Sequence, residues 1–138
     1  MKTLKRILKH LMLVLPIVLA TSCGNDNPEK ILKEAAIEVN NNCPQRVDEI
    51  TVMKEVSYEN HTFLYVYELD ESIDADVFMD ADQDVLERVL NEELRDKAEV
   101  NSDVKAFLDE LRKDNAKLIY RYVLKDGSGR SRDIPLDY

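Results

Sequence analysis

Phe63-Leu64-Tyr65-Val66-Tyr67-Glu68-Leu69 and Leu118-Ile119-Tyr120-Arg121-Tyr122-Val123-Leu124 are two versions of one pattern. In each, a large apolar or aromatic side chain recurs at every second residue. That is the two-residue period of a strand with one face turned to a core. The first segment also places Leu64 and Val66 on its alternate positions, so burial on both faces is expected there. The echo reads as two central strands facing one helical layer, which ask for the same residues, rather than as a degenerate duplication.

Working outward, Ile50, Val52, Val56 and Tyr58 alternate ahead of the first segment, with Lys54 interrupting the apolar side. Glu59-Asn60-His61 is polar and turn-like, so the two strands are expected to form an antiparallel hairpin. After the second segment, Asp126-Gly127-Ser128-Gly129 is a strong turn signal. A short strand should follow near Arg132–Leu136, with Pro135 marking a sheet edge or strand end.

Three stretches carry helical spacing. Asn27-Pro28-Glu29 suits a helix start, as cap, first-turn proline and dipole-matched acid. Ile31, Leu32, Ala35, Ala36 and Val39 then share a face, and the run from Asn40 to Pro44 ends it. Val85, Leu86, Val89, Leu90 and Leu94 form a second apolar face. A third, capped by Ser102 and stopped by Asn115, turns Val104, Phe107, Leu108 and Leu111 inward. The fold class expected is α+β, a four-stranded antiparallel sheet with helices on one face in the order α-β-β-α-α-β-β. Tyrosines would sit at the margin of that core, rings buried and hydroxyls reaching a partner.

The N-terminus has a different character. Lys2, Lys5, Arg6 and Lys9 precede an apolar run from Leu11 to Ala20, too short for a bilayer-spanning helix, which needs about 20 residues. Small residues Ala20, Thr21 and Ser22 then lead to Cys23. A basic start, a short apolar run and small residues at a cut describe an export signal. With cysteine next, the stretch resembles the lipobox of bacterial lipoproteins. The resemblance implies a diacylglycerol on the Cys23 thiol, cleavage before it, and acylation of the new amino group, commonly by palmitate. Residues 1–22 would then be a removed signal peptide, 23–27 the lipidated cysteine and a short tether, and 28–138 a single domain. The tether would keep the body within about 15 Å of the lipid surface. Gly24 is not the aspartate that resembles an inner-membrane retention signal, so the outer membrane is the expected address.

The 138 residues carry 28 acids against 19 bases, a net of −9. No acid lies in the first 22 residues, which hold four of the bases, so the remainder stands at −13. Such a body repels nucleic acid and anionic lipid. With Cys23 committed to lipid, Cys43 stands alone. It reads as a small buried residue rather than a nucleophile.

Asn40-x-x-x-Pro44-x-x-Val47-Asp48-x-x-Thr51, followed by the Tyr65-x-Tyr67 strand, is similar to a family of small exported bacterial proteins of uncharacterised function. The family brings no catalytic residues. Read physically, Asp48 and Thr51 would fix the helix-to-strand turn by side-chain hydrogen bonds to backbone.

Asp80-x-Asp82-x-Asp84 has the opening spacing of a calcium loop, but its sixth and twelfth positions are Val85 and Asn91, where glycine and a bidentate glutamate are needed. The wider acid cluster adds Asp70, Glu71, Asp74 and Asp76. Nucleophile, base and orienting group do not converge in any motif, phosphate-binding glycine loops are absent, and the domain has one histidine, His61. The Arg130-Ser131-Arg132 spot reads as a solvated turn. The expectation is no catalytic residue, no metal ligand and no cofactor. The functional expectation is a lipid-anchored envelope accessory protein that binds an unknown protein partner, through Asp80, Asp82 and Asp84 or an exposed sheet face. The alternatives are an inhibitor or immunity-type protein covering an enzyme, and an enzyme with an unrecognised site.

Overall fold

The computed structural model describes residues 27–138; the expected signal peptide 1–22, Cys23 and the expected tether up to residue 26 lie outside the described residues. Asn27 caps α1 (Pro28–Asn40) by accepting from the Lys30 N–H at 2.8 Å, with Pro28 in the first turn. Leu32, Ala35, Ala36 and Val39 are its buried face. The chain continues through β1 (Gln45–Arg46), β2 (Thr51–Glu59), β3 (Thr62–Asp70), α2 (Ile73–Asp80), α3 (Gln83–Val100), α4 (Ser102–Asp114), β4 (Lys117–Lys125) and β5 (Ser131–Leu136).

The strands form one five-stranded sheet in sequence order. β3 and β4, the two tyrosine strands, lie side by side in parallel, residue against residue: Phe63 with Leu118, Tyr65 with Tyr120, Tyr67 with Tyr122, Leu69 with Leu124. The other pairings are antiparallel. Buried sheet residues all lie on one face and share a core with the buried faces of the helices. The α+β class and the one-sided helical layer therefore hold. Two parts of the expected architecture do not: the sheet has five strands rather than four, and its centre is parallel.

Both differences trace to short elements. β1 is two residues, held to β2 by the Gln45–Met53 and Arg46–Val52 pairs, and is too brief to leave a periodic signal. α2 lies in the acid-rich segment, where the sequence reading places no helix. Two helical passes return a chain to the end it left, whereas a third carries it to the opposite end. A parallel neighbour requires the latter. The connection 71–116 contains three helices, and Lys117 enters opposite Thr62, at the start of β3.

Register differs in β2. Between Met53 and Glu55 the pairing with β3 slips by one, leaving Lys54 as the extra residue of a β-bulge. A bulge exchanges the two faces of the strand beyond it. Thr51 and Met53 point inward before it, and Val56 and Tyr58 after it, while Val52 faces outward. A charged residue in an apolar alternation marks the site of the slip. The Val56 N–H beyond the bulge donates to Asn40 Oδ1 at 3.0 Å, tying it to the end of α1.

Four of the six tyrosines occupy the centre of the core rather than its margin, while Tyr58 and Tyr138 reach partners with their hydroxyls as expected. Tyr65, Tyr67, Tyr120 and Tyr122 are each no more than 2% exposed. Their rings touch edge-on between Tyr65 and Tyr120 (5.4 Å) and stacked between Tyr67 and Tyr122 (5.3 Å). The layer continues upward through Phe63 onto Phe107 of α4 (4.9 Å) and Tyr122 onto Phe78 of α2 (4.5 Å). Such pairs contribute about 0.5–1.5 kcal/mol each beyond burial. Burial raises the pKa of all four phenols.

α2 is held at its other end by β5. Arg132 sits on the inward face, opposite Tyr122. Its Nη1 donates toward the carbonyls of Phe78 (3.0 Å), Met79 (3.2 Å) and Ala81 (2.7 Å), and its Nη2 to Gln83 Oε1 at 2.9 Å. Arg130 adds a bond to the Met79 carbonyl and an ion pair with Asp80. The Arg130-Ser131-Arg132 spot is thus a helix cap in trans, with cations on the orphan carbonyls and negative dipole end of α2.

Two predictions follow from this packing. The Tyr120 hydroxyl is buried with no hydrogen-bond partner, so Tyr120→Phe is expected to raise stability by about 1 kcal/mol. A calorimetric midpoint that falls instead would show the hydroxyl to be satisfied. Arg132→Ala is expected to cost about 2–3 kcal/mol, with amide-exchange protection lost first in α2. Arg132→Lys should recover only part, because a point ammonium cannot serve several diverging acceptors at once. Unchanged protection in α2 would contradict the capping role.

Candidate functional site

The acid-rich segment after β3 builds a helix, a corner and a second helix. Ser72 caps α2 by accepting from the Ala75 N–H at 3.0 Å, and Asp74 and Asp76 meet the positive end of the dipole. Ala75, Phe78 and Met79 face the core. The opposite side of the same two turns is also apolar: Ile73 is 82% exposed and Val77 37%. Ala81 is extended, Asp82 caps α3 by accepting from the Asp84 N–H at 3.0 Å, and Val85 rises on the first turn. The result is a shallow concave surface lined by Ile73, Asp76, Val77, Asp80, Ala81, Asp82 and Val85. It has an apolar floor and an acidic rim.

Asp80, Asp82 and Asp84 all belong to this corner, but their carboxylates do not converge as a cation loop would need. Asp80 pairs with Arg130, Asp82 is engaged as the cap, and Asp84 is exposed on the first turn of α3. The apolar floor is the component that the charge pattern alone does not reveal. Its signal lies in Ile73 and Val77, four residues apart on a helix and offset from the Ala75, Phe78, Met79 face.

The outward face of the sheet is the second surface named by the sequence. Val52, Leu64, Val66, Ile119 and Val123 are half-buried there. Charged residues are matched across strands: Arg121 grips Asp133 through two bonds of 2.8 and 3.0 Å, and Lys54 reaches Glu68 at 4.0 Å.

A third constellation joins residues far apart in sequence. The β2–β3 hairpin turns through Asn60 and His61, both at positive φ (51° and 56°), the two-residue turn that suits strand twist. His61 Nδ1 lies 3.0 Å from Asp114 Oδ2, at the end of α4. The Tyr58 hydroxyl donates to the same carboxylate oxygen. Glu29, on the first turn of α1, brings a carboxylate oxygen within 4.8 Å of the other ligand-capable atoms. Hydrogen bonding and charge from Asp114 raise the His61 pKa, while burial, then Asp114, raises that of Tyr58. Sequence reading finds His61 in a turn but not its neighbours, because separations of 32 and 53 residues leave no local trace.

The Asn40-to-Thr51 motif proves to be fold machinery. Asp48 Oδ1 accepts from the Ile50 N–H at 2.9 Å, as expected of a turn-fixing acid. Thr51 acts otherwise: its side-chain oxygen is buried without a partner, and its carbonyl accepts from Val47 N–H at 3.0 Å. Arg46 Nη1 closes the loop onto the Asp48 and Glu49 carbonyls and Asp70. Cys43, half-buried against the core, has its thiol pKa raised first by burial and then by Glu55, which suits a packing role.

Among the described residues no helix is long and apolar enough to cross a membrane. The fold is similar to the crystal structure of a candidate secreted protein from Pseudomonas aeruginosa, with a TM-score of 0.60 at 15% identity over 83% of this chain and 96% of that one. No curated protein matches the sequence. Residues 27–131, which take in the motif, both tyrosine strands and the α2–α3 corner, match a domain of unknown function, DUF8479, and the chain belongs to that family.

Proposed function

We propose that this is an exported, non-enzymatic accessory protein of the bacterial cell envelope, held to the outer membrane by acyl chains on Cys23, and that it acts by binding another protein at the α2–α3 corner. Ile73 carries the reading. An isoleucine 82% exposed on a helix otherwise packed by Phe78 and Met79 gains nothing for this fold by being apolar. Covering it is worth about 1.5–3 kcal/mol. Asp76, Asp80 and Asp82 around it, on a strongly acidic body, fit a basic partner segment that inserts an apolar side chain. The acids would speed its encounter and the floor would hold it. Export draws support from the N-terminal signal pattern and from the likeness to a protein described as a candidate for secretion.

A photo-crosslinking side chain at position 73 in intact cells is expected to capture a discrete partner that the same probe at Ile119, on the outward sheet face, does not. Ile73→Glu together with Asp76→Lys should weaken purified-partner binding at least tenfold. Equal capture at both positions would remove the corner from the account. The anchor has a separate test. Cys23→Ser should release the protein from the membrane fraction, and membrane association that survives the change would rule out the thioether.

A further inference from the structure

We propose that Glu29, His61 and Asp114 form a binding site for a divalent first-row metal ion, with zinc the expected occupant. The proposal is independent of the partner-binding reading and uses the opposite kind of observation, a convergence of ligand atoms from three separate elements.

Asp114 supplies the first argument. It is the last residue of α4, where the helix dipole is negative and a carboxylate is disfavoured. Its side chain is only 7% exposed. The cations of the same turn are directed elsewhere: Arg112 pairs with Asp109 at 2.9 Å and Lys113 with Glu110 at 3.0 Å. What faces Asp114 is a phenol and an imidazole. A nearly buried carboxylate in such a place favours a positive charge beside it.

Geometry supplies the second. Two ligand atoms on a tetrahedral zinc, at bonds of about 2.0–2.1 Å, stand about 3.4 Å apart. His61 Nδ1 and Asp114 Oδ2 are 3.0 Å apart, close to that edge. That is also hydrogen-bond distance, and an ion entering between the two atoms would replace the hydrogen bond and release its proton. Glu29 is exposed on the first turn of α1 and needs only a side-chain rotation to complete a third vertex. Water would take the fourth. One imidazole with two carboxylates suits zinc and its first-row neighbours and disfavours magnesium and calcium, which prefer oxygen alone.

Preorganisation is the third. His61 is fixed by the tight hairpin turn, and its carbonyl accepts from the Lys117 N–H at 2.8 Å. Asn115 closes α4 in the left-handed conformation directly after Asp114. The Tyr58 hydroxyl donates to the same Asp114 Oδ2 and lies 3.5 Å from His61 Nδ1, so it fixes the direction of that oxygen from beside the site.

Isothermal titration of the metal-stripped full-length chain in detergent with zinc chloride is expected to show one saturable site, absent with magnesium chloride. His61→Ala should weaken it at least tenfold and Glu29→Gln several-fold. Both residues are exposed, so circular dichroism should confirm that each variant stays folded, and Cys43→Ser should leave binding unchanged. Amide resonances of residues 29, 60–62 and 114–115 should move together on titration. Absence of saturable binding would overturn the proposal, as would affinity that His61→Ala and Glu29→Gln leave intact.

Discussion

The in-register parallel pairing of β3 with β4 is the constraint on which the remaining structure depends. It sets tyrosine beside tyrosine twice and closes each row with Phe63, Leu118, Leu69 and Leu124 on the same face. Rows of large rings on one side of a sheet must be covered on that side, so the helices gather there. Parallel neighbours also cannot be joined by a tight turn. The long excursion through α2, α3 and α4 therefore supplies both the cover for the aromatic rows and the crossover that makes them adjacent. One requirement answers two questions, where the helices lie and why an odd number of helical passes joins the central strands.

The division of polar work follows. Groups that look functional in isolation are often engaged in holding this arrangement. Arg132 and Arg130 end α2, Asp82 begins α3, Asp48 bends the approach to β2, and Asn40 meets the bulge. Two features stand apart from that work: an exposed isoleucine among acids at one corner, and an imidazole between carboxylates at the hairpin. The functional reading rests on them rather than on charge density, which most of the chain shares.

Periodicity made much of this legible beforehand. The helix faces of α1, α3 and α4 and the tyrosine strands could be read because each repeats its pattern over several turns or pleats. Asn27, Asn115 and Pro135 stood where their backbone chemistry predicts. Failures cluster where the signal is short or non-local. α2 has about two turns and apolar residues on both sides, so no stripe stands out. β1 has two residues. Lys54 announced a fault in β2, but whether a charge inside an apolar alternation means a slip or an exposed lysine is decided only by the partner strand. Strand direction was lost with α2, since one uncounted helix reverses the sense in which the chain re-enters the sheet. The His61 constellation was invisible for a simpler reason: its members meet only after folding.

The sheet's two ends differ from its middle in a way that bears on crowding. One border strand is a mere dipeptide, Gln45–Arg46, and the other carries Pro135, which has no amide hydrogen to offer a newcomer. Molecules arrayed densely in a plane thus meet a short strand at one border and an interrupted one at the other, which favours contact through side chains over backbone pairing between copies.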